Sequence, residues 1–252
     1  ITMQLLPVIQ FSDSLGSTKT DITLRKSNAV INDTTWTISP SRISLYQQSL
    51  ECDQVMFAND NTNSFLSING RASESSSDSL VATLKDLEIK YILTLVNFNV
   101  VHFAGKASGQ AIFNNFMAGG TPNIHANLSV ENLSIQEGPL GNANITAKWD
   151  EEIEGISVEG RIVDLYRVPD ALTGREKNIT GITTVNGWIS PARNDIQINV
   201  GTHNTNASFI HGFLGGIFKE VNGYVTGPIS IIGPLNDVNI VGDAVPHMNL
   251  RL

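Results

Sequence analysis

Ile196-Gln197-Ile198-Asn199-Val200 places an apolar side chain at every second residue. That spacing sets them on one face of an extended strand and the polar side chains on the other. The same alternation recurs at Ile43-Ser44-Leu45, Leu66-Ser67-Ile68, Leu128-Ser129-Val130 and Ile229-Ser230-Ile231. Between these runs lie turn-forming clusters, Asn59-Asp60-Asn61, Ser73 to Ser79 and Gly119-Gly120-Thr121-Pro122. They arrive about every ten residues. The expectation is an all-β chain of many short, half-buried antiparallel strands. The polar run Ser73 to Ser79 reads as a long hairpin loop rather than a linker, because alternation resumes directly after it. Residues 1–252 are therefore read as one β domain.

Two segments break the alternation. Phe209, Ile210, Phe213, Leu214, Ile217 and Phe218 recur in adjacent pairs four apart, a helical stripe behind a possible cap at Asn206 or Ser208. Ile112, Phe113, Phe116 and Met117 repeat the pattern more briefly. Two words also recur. GPLGNANI (138–145) is matched by GPLNDVNI (233–240), and Gly105-Lys-Ala-Ser-Gly109 by Gly223-Tyr-Val-Thr-Gly227. Such self-similarity is the trace of a stacked β array whose units bury their apolar faces on one another. Glycines inside strands mark bulges or bends, so Gly105, Gly109, Gly223 and Gly227 are expected where the sheet curls.

The composition disfavours several classes of function. With 16 Lys and Arg against 24 Asp and Glu, the net charge of -8 has the wrong sign for binding phosphate backbones, and nucleic acid is not expected as a partner. Cys52 is the single cysteine, which forbids an internal disulfide. His102, His125, His203, His211 and His247 are scattered without ligand spacing, so no metal is expected. Asp150-Glu151-Glu152 with Glu154 lacks the order of a calcium loop and reads as a solvated turn. No Gly-x-Ser-x-Gly elbow or phosphate loop occurs, so neither catalysis nor a cofactor is expected. A solenoid carbohydrate enzyme would need converging carboxylates, and the acidic residues are spread along the chain. The sequons at Asn32, Asn127, Asn132, Asn144, Asn178 and Asn206 are read as chance in an Asn- and Ser-rich chain.

The run FLGGIFKEVNGYVTGPISIIGPLNDVNIVGDA (213–244) resembles the ending of TamB and AsmA-like proteins. The likeness falls on Val221, Gly223, Val225, Gly227, Ile231, Gly233, Pro234, Leu235 and Gly242. VHFAGKASGQA (101–111), GTPNIHANLSVENL (120–133) and LGNANITAKWDEE (140–152) are similar to segments of the Bacteroidetes-type version, as are 36–43 and 65–73 more loosely. The resemblance implies a periplasmic segment of a larger protein anchored in the inner membrane of a double-membraned bacterium, and a start at Ile1 fits an excised fragment. It implies an elongated, curled antiparallel sheet, a β-taco, serving outer-membrane biogenesis. The implied partners are phospholipid acyl chains or unfolded outer-membrane protein strands, with an outer-membrane assembly barrel as a further one. It brings no catalytic residues.

Strands stack about 4.8 Å apart, so roughly twenty side by side would make a trough on the order of 90 Å long. Exposing methylenes costs about 0.8 kcal/mol each, so two acyl chains of about sixteen carbons lose on the order of 25 kcal/mol without shelter. The alternation nominates Leu66, Ile68, Leu128, Val130, Ile196, Ile198, Val200, Val225, Ile229 and Ile231 for the inner wall, although a closed core would alternate in the same way. The stripe from Phe209 to Phe218 is expected to cap the trough.

Overall fold

The structure, a computed structural model, describes residues 2–14, 16–31, 34–75, 77–95, 102–115, 123–136, 138–169, 175–213 and 220–251. Among them the fold is all-β, with strands paired antiparallel. Contacts divide the chain into two compact units, Ile1–Leu87 with Ser108–Asn127, and Glu88–Ala107 with Leu128–Leu252. The sequence, read as one domain, carries no linker between them because β10 (Phe103–Asn114) and β11 (Asn123–Ile135) each contribute residues to both.

The first unit contains β1 (Thr2–Gln4), β2 (Pro7–Ser14), β3 (Ser17–Leu24), β4 (Ser27–Ile31), β5 (Thr34–Ile38) and β6 (Ser41–Tyr46), then β7 (Ser49–Asn59), β8 (Ser64–Ala72) and β9 (Ser79–Glu88). β3 pairs with β6, and the long β7 pairs with β6 near its start and with β5 near its end. The register aligns Ile9, Ile22, Ile43, Cys52, Gly70 and Leu80 in one row across six strands. Cys52, Val55, Ala72 and Leu80 form its buried cluster, with Phe57, Ile68 and Phe113 packed against it. The serine-rich run is the loop between β8 and β9, where Ser73 Oγ donates to Asp78 at 2.7 Å.

The second unit holds α1 (Ile89–Leu95), β12 (Gly138–Asp150), β13 (Gly155–Pro169), β14 (Glu176–Ser190), β15 (Asp195–Asn206), a 3-10 helix (Ala207–Phe213), β16 (Glu220–Pro234), β17 (Asn239–Gly242) and β18 (Val245–Arg251). β12 to β16 pair in chain order, and β16 then holds β18 along its first half and β17 along its second.

One device recurs in both units. Gln54, Asp86, Asn132 and Asn204 lie inside strands with φ between 49° and 52°. A left-handed residue in a ladder turns its N–H away from the neighbouring backbone, and the freed N–H takes another acceptor. A side chain from a neighbouring strand supplies it each time: Asn69 for Gln54, Ser108 for Asp86, Asn142 for Asn132 and Thr226 for Asn204, at 3.3, 2.9, 3.0 and 2.9 Å. Each acceptor adjoins a positive-φ glycine, Gly70, Gly109, Gly141 or Gly227. The repeat Gly-x-x-[Ser/Thr]-Gly thus has a structural meaning: its hydroxyl clasps the bulge, and all four of its glycines sit at φ between 134° and 144°. The other repeated word has none. Residues 138–145 lie inside β12, whereas 233–240 leave β16, turn through Pro234 to Asp237 and enter β17.

The two expected helical stripes need correction. Ile112 and Phe113 belong to β10, where both are half-buried on alternate faces, and adjacent apolar residues in a strand covered on both sides mimic a helical pair. Phe116 and Met117 lie outside the described residues. The second stripe is a 3-10 rather than an α-helix where it is described. Asn206 Oδ1 accepts the N–H of Ser208 at 3.0 Å, and Leu214, Ile217 and Phe218 lie outside the described residues.

Candidate functional site

The register of the second unit assembles an apolar face row by row. Ala147, Val158, Gly187, Ile198, Ile231 and Ile240 stand opposite one another across six strands. Ile145, Gly160, Val185, Val200, Ile229 and Gly242 form the next row on one side. Trp149, Ile156, Ile189, Ile196 and Gly233 form the next on the other. Beyond the Ile145 row, Ala143, Ile162, Thr183, Thr202 and Gly227 complete a patch without a single charged side chain. On the reverse face a polar row backs it: Thr146, Glu159, Asn186, Asn199 and Ser230 align, Ser230 donates to Asn199 at 3.0 Å, and Arg161 borders a shallow recess of about 380 Å³.

This sheet curls about its apolar face. In a flat sheet β12 and β16, four places apart, would be separated by about 19 Å. Here the backbone of Phe209 lies against Gly138 at the start of β12, while Ala207 and Ile210 pack with Val221 and Val225 of β16. Three residues of 3-10 helix advance only about 6 Å, so the two strands close in on each other around this end. A β-carbon on Gly138 would stand 2.1 Å from Phe209 Cα, which is why glycine occupies the contact.

The same end carries α1, whose Ile89 and Ile92 pack on the buried cluster of Ala107, Val130, Leu133, Ala143 and Ile162. The alternation gave no warning of this helix. Its signal, isoleucines three apart, occupies seven residues that follow directly on β9. Of the stripe, Ile210 packs against Ala207, Val221 and Val225, and the 3-10 helix Ala207–Phe213 is the part that is described. Toward the opposite end Trp149, Ile156, Val158 and Ile189 remain half-buried, and Ile240 at the margin is 59% exposed.

All ten nominated wall residues are buried or half-buried. Ile196, Ile198, Val200, Ile229 and Ile231 share this face, and Val225 joins it where the 3-10 helix packs. Val130 is 1% exposed beneath α1, in the core of the same unit, and Leu128 is half-buried two residues before it. Leu66 and Ile68 belong to the first unit, opposite Phe57 and Val55. Compared with family models, curated proteins and solved structures, the chain matches none.

Among the described residues, no three of His, Cys, Asp and Glu gather as a metal site. Cys52 is buried in the first unit's core, and burial pushes its thiol above the ordinary range, away from the reactive thiolate. Tyr166 is held up to about 12 by burial and by the nearby Asp164 carboxylate, and its hydroxyl donates to the Asn204 carbonyl at 2.6 Å. No helix among the described residues is long and apolar enough to cross a membrane.

Proposed function

We propose that the curled apolar face of the second unit shelters lipid acyl chains, as a segment of a TamB-like envelope protein that carries phospholipid between inner and outer membranes. The observation that carries this reading is the row Ala147, Val158, Gly187, Ile198, Ile231 and Ile240, continuous across six strands and still partly open to solvent. Its half-buried members, Ala147, Val158 and Ile231, leave apolar surface partly open, which costs about 25 cal/mol for each Å² unless something apolar occupies it. An acyl chain makes no demand for hydrogen bonds, and the three rows built on Ile145, Ala147 and Trp149 offer it a wall without a charged side chain. On the same reading the protein acts in the periplasm and is not an enzyme.

A second reading, capture of unfolded outer-membrane protein strands by strand addition, is favoured by β2. It pairs with β3, and its Ile9 and Phe11 are 51% and 71% exposed.

The test is native mass spectrometry with lipid extraction on the chain purified from a double-membraned bacterium. Phospholipid should co-purify, and Val158→Ser with Ile231→Ser should lose it while the circular dichroism spectrum is unchanged. A folded wild-type protein free of lipid, even after incubation with phospholipid, overturns the proposal.

A further inference from the structure

The strand β2 is a free edge of the first unit. Among the described residues it pairs with β3 and with no other strand, and residues 4–13 are all exposed. Sheet edges are commonly blunted by lysine, by a bulge or by shortness. β2 has none of these: it runs eight residues, its register against β3 is unbroken, and no charged side chain precedes Asp13. The apolar row of Ile22, Ile43 and Cys52 runs out to Ile9, 51% exposed, and the row of Leu45 and Leu50 runs out to Phe11, 71% exposed.

The ladder shows which backbone groups this edge presents. Leu6 turns both of its groups inward: its N–H donates to Ser27 Oγ at 3.0 Å and its carbonyl accepts the Arg25 N–H at 3.1 Å. Residues bonded to one neighbour alternate along an antiparallel strand. Val8, Gln10 and Ser12 therefore bond to β3, and Pro7, Ile9, Phe11 and Asp13 turn outward. Pro7, which has no N–H, stands where no bond to β3 is lost.

We infer that β2 pairs with β2 of a second copy of this chain, antiparallel about a two-fold axis at Gln10. The inference does not rest on the lipid-shelter reading, and it gives the edge an occupant other than a foreign strand. Outward residues have to face outward residues, and Ile9 set opposite the second copy's Phe11 achieves this on both sides of the axis. Each such pair exchanges N–H and carbonyl groups and lays a β-branched side chain against an aromatic one. The Asp13 N–H then meets the second copy's Pro7 carbonyl, so the missing proline donor is felt by one acceptor only. At the axis the two Gln10 amides meet, each able to donate and to accept. The two Asp13 carboxylates stand about 20 Å apart, beyond the roughly 8 Å over which exposed charges act at physiological salt.

Sedimentation equilibrium of the whole chain should show reversible dimers with a dissociation constant of about 100 µM, because an edge of this length buries less than the roughly 1,200 Å² of a stable interface. Ile9→Lys with Phe11→Lys should weaken the dimer about tenfold or more, with the circular dichroism spectrum unchanged. Cysteines read the register independently, since residues opposed in a non-hydrogen-bonded pair lie within disulfide reach. Under mild oxidation Gln10→Cys should cross-link to itself and Ser12→Cys should not, whereas Ser12→Cys mixed with Val8→Cys should link the two variants. These links test the pairing even where the lysine variant fails to fold. A chain that stays monomeric up to about 1 mM, a dimer that survives the lysine variant, or Ser12→Cys linking as well as Gln10→Cys overturns the inference. So does a monomer whose Gln10→Cys thiol links only to an added strand-forming peptide carrying a cysteine, which assigns the edge to a foreign strand.

Discussion

The hydroxyl of Thr226 accepts the backbone N–H of Asn204 at 2.9 Å, at the point where β15 slips register against β16 between Thr202 and Thr205. Without it, a partly buried N–H in a bulge has no ladder partner. Replacing Thr226 with valine keeps the shape and removes the acceptor, and should cost about 1 kcal/mol or somewhat more. Thr226→Ser should recover most of the loss. Urea unfolding of the three proteins measures it, and equal midpoints would show that water satisfies Asn204 equally well.

The glycines of the strands divide into two kinds. Gly223 has φ of 137°, and a β-carbon there would lie 2.0 Å from the His247 carbonyl oxygen. Gly160 has no unusual φ, and its β-carbon would meet neighbours at ordinary separations of 3.6 Å or more. Gly223→Ala should therefore destabilise by about 3 kcal/mol, through strain and steric conflict together. Gly160→Ala should be neutral or stabilising by about 0.5 kcal/mol, since it removes unfolded-state freedom. Thermal denaturation of the pair separates them, and similar midpoints would contradict the contrast.

How far the sequence discloses this fold follows from the range of the forces involved. Alternation is local, so Ile196, Ile198 and Val200 announce a buried face before any partner strand is known. The hydroxyls of Ser108 and Thr226 announce themselves as a repeat, but their role as clasps depends on Asp86 and Asn204 in other strands. The crossing of β3 to β6, past the β4 and β5 hairpin, is set by long-range packing and leaves no periodic trace. The acidic turn from Asp150 to Glu154 reads correctly as solvated, yet its place beside Trp149 and the turn at Arg193 emerges only from the register. The 3-10 helix lies against the bare backbone of Gly138, a contact that the periodicity of Phe209 and Ile210 does not encode.

Asp21 accepts a hydrogen bond from Ser44 Oγ at 2.5 Å and lies 2.8 Å from Arg42 and 3.3 Å from Lys19. The Ser44 hydroxyl, followed by the Arg42 guanidinium, lowers its carboxyl from 3.8 to about 2. With the folded value below the unfolded one, the unfolded chain binds more protons between them, so the contribution of Asp21 is fully present above about pH 4. It is lost as pH falls toward 2. Urea midpoints of the wild type should therefore drop over this interval more steeply than those of Asp21→Asn. Parallel curves would mean that the cluster does not hold the carboxylate in solution.

Ile196 and Ile232 lie on opposite faces of the β15 and β16 pair, 3% and 37% exposed. A slip of one residue in register would exchange those faces and turn the apolar rows toward solvent. Ile196→Ala should cost about 2 to 5 kcal/mol, because it removes buried methylenes and leaves a cavity. Ile232→Ala should stay within about 0.5 kcal/mol, as for a surface position. Chemical denaturation of the two variants thus reports the register directly. The reverse order of costs would place Ile232 inside and Ile196 outside, and with that the sheltered face would no longer be the one built on Ile198 and Ile231.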